Sequence, residues 1–153
     1  MKFFETIERY KDKNITIYCD MDGVLAEYDI GNFDYTTIRP LMSNINKIEN
    51  LIKQDNINIK ILSICKANNI IEEKKVWFNK YMPFLKEEDM ILISKELSEY
   101  SNCSSKEIKS NYLKENIKKD EINIVIDDDN EIVKYIIKNN ANIIVFQVSS
   151  LID

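Results

Sequence analysis

The sequence contains no histidine, and only two glycines and two prolines in 153 residues. The missing histidine excludes His-based triads and His general bases. Catalysis near neutral pH would therefore fall to carboxylates, lysines, hydroxyls and metal ions. Three cysteines are present, Cys19, Cys65 and Cys103, with no CxxC spacing. Without histidine or paired cysteines a zinc site is not supported. An odd cysteine count with no signal peptide fits reduced thiols and a cytoplasmic location. Residues 1–13 are charged and amphipathic rather than an apolar export segment, and no apolar run approaches membrane-spanning length, so no membrane partner is expected. Scarce Gly and Pro argue against flexible linkers, and no internal repeat is visible. A chain of this length is expected to form one domain, 1–153, with a core that needs no metal or disulfide staple. The net charge of −5 gives no general footprint for nucleic acid, although it leaves room for a local basic pocket.

What is present is an alternation of two patterns. Short β-branched or apolar runs occupy 15–19, 57–62, 90–93, 122–126 and 143–146. Most are close to continuously apolar, as strands covered on both faces should be. The run 57–62 differs, because Asn58 and Lys60 alternate with isoleucines and imply one more open face. Helical patterns lie between the runs. Residues 41–52 place Leu41, Ile45, Ile48 and Ile52 on one stripe, and 70–81 carry Val76, Trp77 and Tyr81. Ser104 and Glu107 form a capping box for a helix through Ile117. Residues 131–138 carry Ile132, Tyr135 and Ile136, with Asp129 as N-cap. The alternation predicts a doubly wound, Rossmann-like three-layer α/β/α fold with a five-stranded parallel sheet. In such sheets the active site lies beyond the carboxyl ends of the strands.

The residues at those ends are informative. The first strand runs into Asp20-Met21-Asp22-Gly23-Val24-Leu25-Ala26, the second into Ser63, and the fourth into Asp127-Asp128-Asp129. Taken singly, each is an ordinary turn, small residue or helix cap. Together they place several carboxylates at one sheet edge, where they would repel one another without a cation. An all-oxygen donor set points to Mg²⁺.

Asp20-Met21-Asp22-Gly23-Val24-Leu25-Ala26 resembles the first motif of the haloacid dehalogenase (HAD) superfamily. Ser63 resembles its second motif, a lysine within 106–109 its third, and Asp127-Asp128 its fourth, an order that covers residues 15–146. Glu73-Lys74-Lys75-Val76-Trp77 with Tyr81-Met82-Pro83 resembles the cytosolic 5′-deoxyribonucleotidase-like branch. That branch carries a helical cap after the first motif. Here about fifteen residues separate motif and helix, too few for a helical bundle, so a minimal cap is expected. The resemblance implies a Mg²⁺-dependent phosphatase acting on a small phosphorylated substrate, a nucleotide or another phosphometabolite. Asp20 would be the nucleophile and Asp22 the general acid and base. Ser63 and a lysine would hold phosphate oxygens. Asp20, Asp127 and the Asp22 backbone carbonyl would ligate the metal, with Asp128 orienting its waters. An open site also invites cover from a second copy of the chain.

Lys106 and Lys109 compete for the phosphate role. With about 100° of turn per residue, Lys109 lies along the centre of the apolar face formed by Ile108, Tyr112, Leu113 and Ile117, and Lys106 lies to one side. Residues 28–39 and 100–103 are expected at the rim, where Tyr35 and Arg39 would bind substrate or, for Tyr35, pack on the core. Two other classes share parts of this pattern. A phospho-accepting receiver module also uses acidic residues, a hydroxyl and a lysine, but in another chain order. A DxD metal-dependent glycosyltransferase would use Asp20 and Asp22 but leave Asp127 and Asp128 without a role.

Overall fold

Strands that are apolar on both faces need cover on both faces, and this chain supplies it with helices. The computed structural model describes residues 2–152. Five strands, β1 (Ile15–Cys19), β2 (Ile57–Cys65), β3 (Met90–Ser94), β4 (Ile122–Asp127) and β5 (Ile143–Gln147), form one parallel sheet in the order β3-β2-β1-β4-β5. The helices are α1 (Phe3–Arg9), α2 (Met42–Ile52), α3 (Asn68–Tyr81), α4 (Ser105–Asn116) and α5 (Asn130–Asn139).

Alternate strand residues serve two cores. Ile15, Ile17 and Cys19 of β1 join Phe3, Ile48 and Trp77 on one face. Tyr18 joins Ile108, Leu113, Ile132 and Ile136 on the other. This is the expected three-layer α/β/α architecture. The chain winds from β1 through β2 to β3, then returns to β4 on the opposite side of β1. The β1/β4 boundary is therefore the topological switch point, where the crevice for a ligand opens.

Several local expectations change. The helix over 70–81 begins at Asn68, and Val76 is 66% exposed while Lys74, Trp77 and Phe78 are buried. Residues 74, 77, 78 and 81 share one helical face, and Val76 points away from it. The edge strands β3 and β5 are only partly covered: Ile91, Leu92 and Ile143–Val145 are half-buried. In β2, Asn58 is exposed and Lys60 half-buried, as the alternation implies. Within the amphipathic stretch 1–13, residues 3–9 form a helix that seats Phe3 and Ile7 in the core. Leu51 rather than Ile52 completes the buried stripe of α2.

Between β1 and α2, residues 20–41 hold no helix or strand, only bridges from Ala26 to Asp22 and to Pro40. Between β2 and β3 lie α3 and a 3-10 turn at Glu87–Asp89. The described residues thus include no inserted cap domain. No helix among them is long and apolar enough to cross a membrane.

Candidate active site

The site begins where β1 ends. The Asp20 backbone N–H donates to the Ile126 carbonyl at 3.0 Å, which ties the first acidic residue to β4. A tight turn follows, in which the Met21 carbonyl accepts from the N–H groups of Val24, Leu25 and Ala26. Gly23 has φ of 81°, and a Cβ there would lie 2.0 Å from an Asp128 carboxylate oxygen. Glycine therefore serves twice: it takes the left-handed conformation, and it lets Asp128 close on the turn.

Asp127 is the last residue of β4. Its Oδ1 accepts from the Asp129 N–H at 3.0 Å, and its Oδ2 accepts from Lys109 Nζ at 2.6 Å. Lys109 Nζ is also 3.1 Å from Asp20 Oδ1, and its side chain is only 3% exposed. Asp20, Asp127 and Asp128 each present a carboxylate oxygen, and the three atoms lie within 4.8 Å of one another. Burial pushes Asp20 up to about 7, with Lys109 opposing the shift and the charges of Asp127 and Asp22 adding to it. Burial, reinforced by Asp127, pushes Asp128 up to about 6. Burial works against the Lys109 ammonium, but Asp20 and Asp127 outweigh it and raise its pKa above the ordinary lysine value.

The opposite wall is built from β2, α3 and the loop after the first turn. Lys74 Nζ, on a side chain 1% exposed, donates to Ser63 Oγ at 2.7 Å, to the Ile64 carbonyl at 3.2 Å and to Asp22 Oδ2 at 3.2 Å. The Tyr35 hydroxyl donates to the same carboxylate, 3.0 and 3.1 Å from its two oxygens. Ser63 lies inside β2 rather than after it, because β2 continues to Cys65 alongside β3. The ladder between β1 and β2 ends at Ile61, so Ser63 still projects past the end of β1. A cavity of about 300 Å³ opens beside Asp22, its walls including Tyr28, Phe33, Tyr35, Lys66 and Lys74.

Of the residues singled out in the sequence, Asp20, Asp127, Asp128 and Lys109 meet at one cluster, and Asp22 and Ser63 meet beside it through Lys74. The Asp22 carboxylate is not among the three that converge. Lys106 is placed elsewhere. Its Nζ is 3.9 Å from Glu131 on α5 and 5.6 Å from the centre of the Tyr135 ring. Three residues turn a helix through about 300°, so Lys106 and Lys109 leave α4 about 60° apart, and only Lys109 faces the sheet edge. Arg39 pairs with Glu27 at 3.2 Å on a side chain 80% exposed, and residues 100–103 do not line the cavity. Lys74 stands in the sequence as one residue of the 73–77 stretch, with no site role assigned to it. Its signal was its place three and four residues before Trp77 and Phe78, on the inward stripe, where a lysine needs a partner.

No family model matches the chain, and no curated protein does. Solved structures do. A chain in a structure of the Pnkp1/Rnl/Hen1 RNA repair complex matches with TM-score 0.67 and 19% identity, over 89% of this chain and 42% of that one. A second structure of the Pnkp1/Rnl/Hen1 complex gives TM-score 0.68 and 19% identity over 88% and 46%. The HAD domain of the effector protein Lem4 from Legionella pneumophila gives TM-score 0.53 and 13% identity over 88% and 85%. The chain spans less than half the length of the two RNA-repair chains it matches. What these likenesses and the parallel sheet establish together is the architecture: the chain has a HAD-like α/β fold.

Proposed function

We propose that this protein is a Mg²⁺-dependent phosphatase that hydrolyses phosphate monoesters through an aspartyl-phosphate on Asp20. The observation that carries the reading is the pair of buried lysines that hold three aspartates and a serine at the switch point. Lys109 holds Asp20 and Asp127, and Lys74 holds Ser63 and Asp22. The donor set fits a hard divalent cation. Asp20, Asp127 and Asp128 offer only carboxylate oxygens, one from each within 4.8 Å of the others, and such a donor set suits a hard ion. Asp20, Asp127 and Asp128 would hold it. When bound, Mg²⁺ supplies charge neutralisation for the phosphoryl group and lowers the carboxyl pKa of its ligands.

The chain's own residues then divide the chemistry. An oxygen of Asp20 forms a bond to phosphorus as the ester P–O bond breaks, and Asp22 gives its proton to the departing alcohol oxygen. Water next attacks phosphorus, Asp22 takes the water's proton, and the Asp20–phosphorus bond breaks to release inorganic phosphate. Ser63 Oγ, Lys74 and Lys109 donate to non-bridging oxygens, whose charge is spread in the transition state. Substrates fit the cavity beside Asp22, which suits a small phosphorylated metabolite.

The strand order argues against the receiver alternative, because receiver modules wind 2-1-3-4-5 whereas this sheet is ordered β3-β2-β1-β4-β5. The glycosyltransferase alternative leaves the pairing of Asp127 with Lys109 without a role. Hydrolysis of p-nitrophenyl phosphate tests the proposal. Activity should require Mg²⁺, vanish in EDTA, and be abolished by Asp20→Asn with no trapped acyl-phosphate. Full activity after exhaustive chelation, or a wild-type rate for Asp20→Asn, would sink it.

A further inference from the structure

A general acid works only when its carboxyl group is aimed at the leaving oxygen, and Asp22, the proposed acid, has two neighbours that fix its side chain. Asp22 is 26% exposed and stands in a loop, where its side chain would otherwise rotate freely. Its carboxylate is gripped from two sides. The Tyr35 hydroxyl lies 3.0 and 3.1 Å from the two oxygens, and Lys74 Nζ lies 3.2 Å from Oδ2. Tyr35 is 8% exposed, has no other hydrogen-bond partner for its hydroxyl among the described residues, and lies with its ring 5.3 Å from Lys74 Nζ. The strap that delivers it is anchored at its base: Glu27 N–H donates to the Arg39 carbonyl at 2.9 Å, and Leu41 N–H to the Leu25 carbonyl at 2.8 Å. Beside that base, one residue before Arg39, the buried Trp77 indole donates to the Ile38 carbonyl at 3.0 Å. Asp22, Tyr35 and Lys74 together form part of the cavity wall.

We infer that Tyr35 is a positioning residue that turns the Asp22 carboxyl group toward the leaving oxygen of a substrate seated in this cavity. The inference rests on the phosphatase reading. In Tyr35→Phe the ring packing stays, the hydroxyl is lost, and Lys74 alone holds Asp22, pulling it toward Ser63. Proton delivery to the alcohol then suffers while Asp20 and Lys109 are untouched. The loss should depend on the leaving group. An alkoxide needs the proton, whereas p-nitrophenolate departs without it.

The experiment measures kcat and KM for wild type, Tyr35→Phe and Asp22→Asn on p-nitrophenyl phosphate, phenyl phosphate and an alkyl phosphate. The parameter kcat/KM covers the steps through departure of the alcohol. Tyr35→Phe should lose at least about tenfold more kcat/KM on the alkyl than on the p-nitrophenyl ester, mainly in kcat, with Asp22→Asn showing the same trend more steeply. Circular dichroism and the melting temperature establish that each variant is folded. If Asp22→Asn shows the leaving-group dependence and a folded Tyr35→Phe loses rate equally on all three esters, the positioning role is overturned and the phosphatase reading stands. If Asp22→Asn itself shows no such dependence, Asp22 is not the acid and the positioning role falls with it, whereas wild type that hydrolyses none of the three esters with Mg²⁺ overturns the phosphatase reading itself.

Discussion

Two lysines on one helix, three residues apart, have opposite fates. Lys109 is buried against Asp20 and Asp127, and Lys106 sits at the surface near Glu131. A buried ammonium is costly unless paired, and here each partner also needs it, because the carboxylates would repel one another in its absence. Lys109→Ala should therefore lower kcat/KM by about two to three orders of magnitude, the usual cost of one buried donor to a transition-state oxyanion. Lys106→Ala should stay within about twofold, as befits an exposed pair. Both are read by steady-state kinetics on variants folded by circular dichroism. The reverse ranking would move the phosphate role to Lys106. Lys74 belongs to the same class as Lys109, a charge whose position on the buried stripe of α3 makes sense only with the Ser63 hydroxyl and the Asp22 carboxylate beside it.

At the scale of one element, the turn after β1 couples the nucleophile to the acidic pair of β4. Its Met21 carbonyl gathers three N–H groups, and Gly23 at φ 81° leaves space that Asp128 fills. Gly23→Ala meets both strain and an overlap with Asp128, so it should cost about 1–3 kcal/mol of stability and weaken Mg²⁺ binding. Gly31 offers the control. Its φ is 85°, yet a Cβ there meets nothing within 4 Å, so Gly31→Ala should cost about 1 kcal/mol and leave Mg²⁺ affinity unchanged. Chemical denaturation and Mg²⁺ titration calorimetry measure both. Equal Mg²⁺ affinities for the two variants would show that Asp128 does not depend on the missing Cβ. The caps at the neighbouring helix starts follow local rules. Asp129 accepts from the N–H groups of Glu131 and Ile132, and Ser104 accepts from that of Glu107 while its own hydroxyl donates to the Glu107 carboxylate.

For the whole molecule, the acidic cluster ties stability to pH and metal. Burial raises Asp20 to about 7 and Asp128 to about 6 from the ordinary carboxyl value of 3.8. Between about pH 4 and 7 the metal-free folded chain therefore holds protons that the unfolded chain has released, and this contribution to stability is lost as pH rises through that window. The metal-free protein should lose melting temperature from pH 5 to 8 relative to Asp128→Asn. Added Mg²⁺ should raise the melting temperature more at pH 8 than at pH 5, because its ligands must be ionised. Differential scanning calorimetry with and without EDTA checks both, and an equal Mg²⁺ effect at the two pH values would contradict the assignment of these carboxylates as the metal site.

The five strands, the alternation with helices and the carboxylates at the strand ends were readable in the chain because each follows from local pattern: a β-branched run, a 3.6-residue stripe, an acidic residue directly after it. The burial of Lys109 was readable too, by arithmetic on a single helix. The order β3-β2-β1-β4-β5, and with it the switch point between β1 and β4, was not, since strand neighbours are chosen by crossovers that span dozens of residues. The contacts of Lys74 with Ser63 and Asp22, and of Tyr35 with Asp22, join residues 11, 52 and 13 positions apart, and no local periodicity encodes them. Val76 shows the same limit in reverse: it is apolar and inside a helix, yet exposed, because the sheet that defines the inner face of α3 comes from elsewhere in the chain. The sequence by itself determined which groups stand at the carboxyl edge. Only the tertiary structure decided which carboxylate each lysine neutralises, because pairing between buried charges depends on distances across the sheet rather than on separation along the chain.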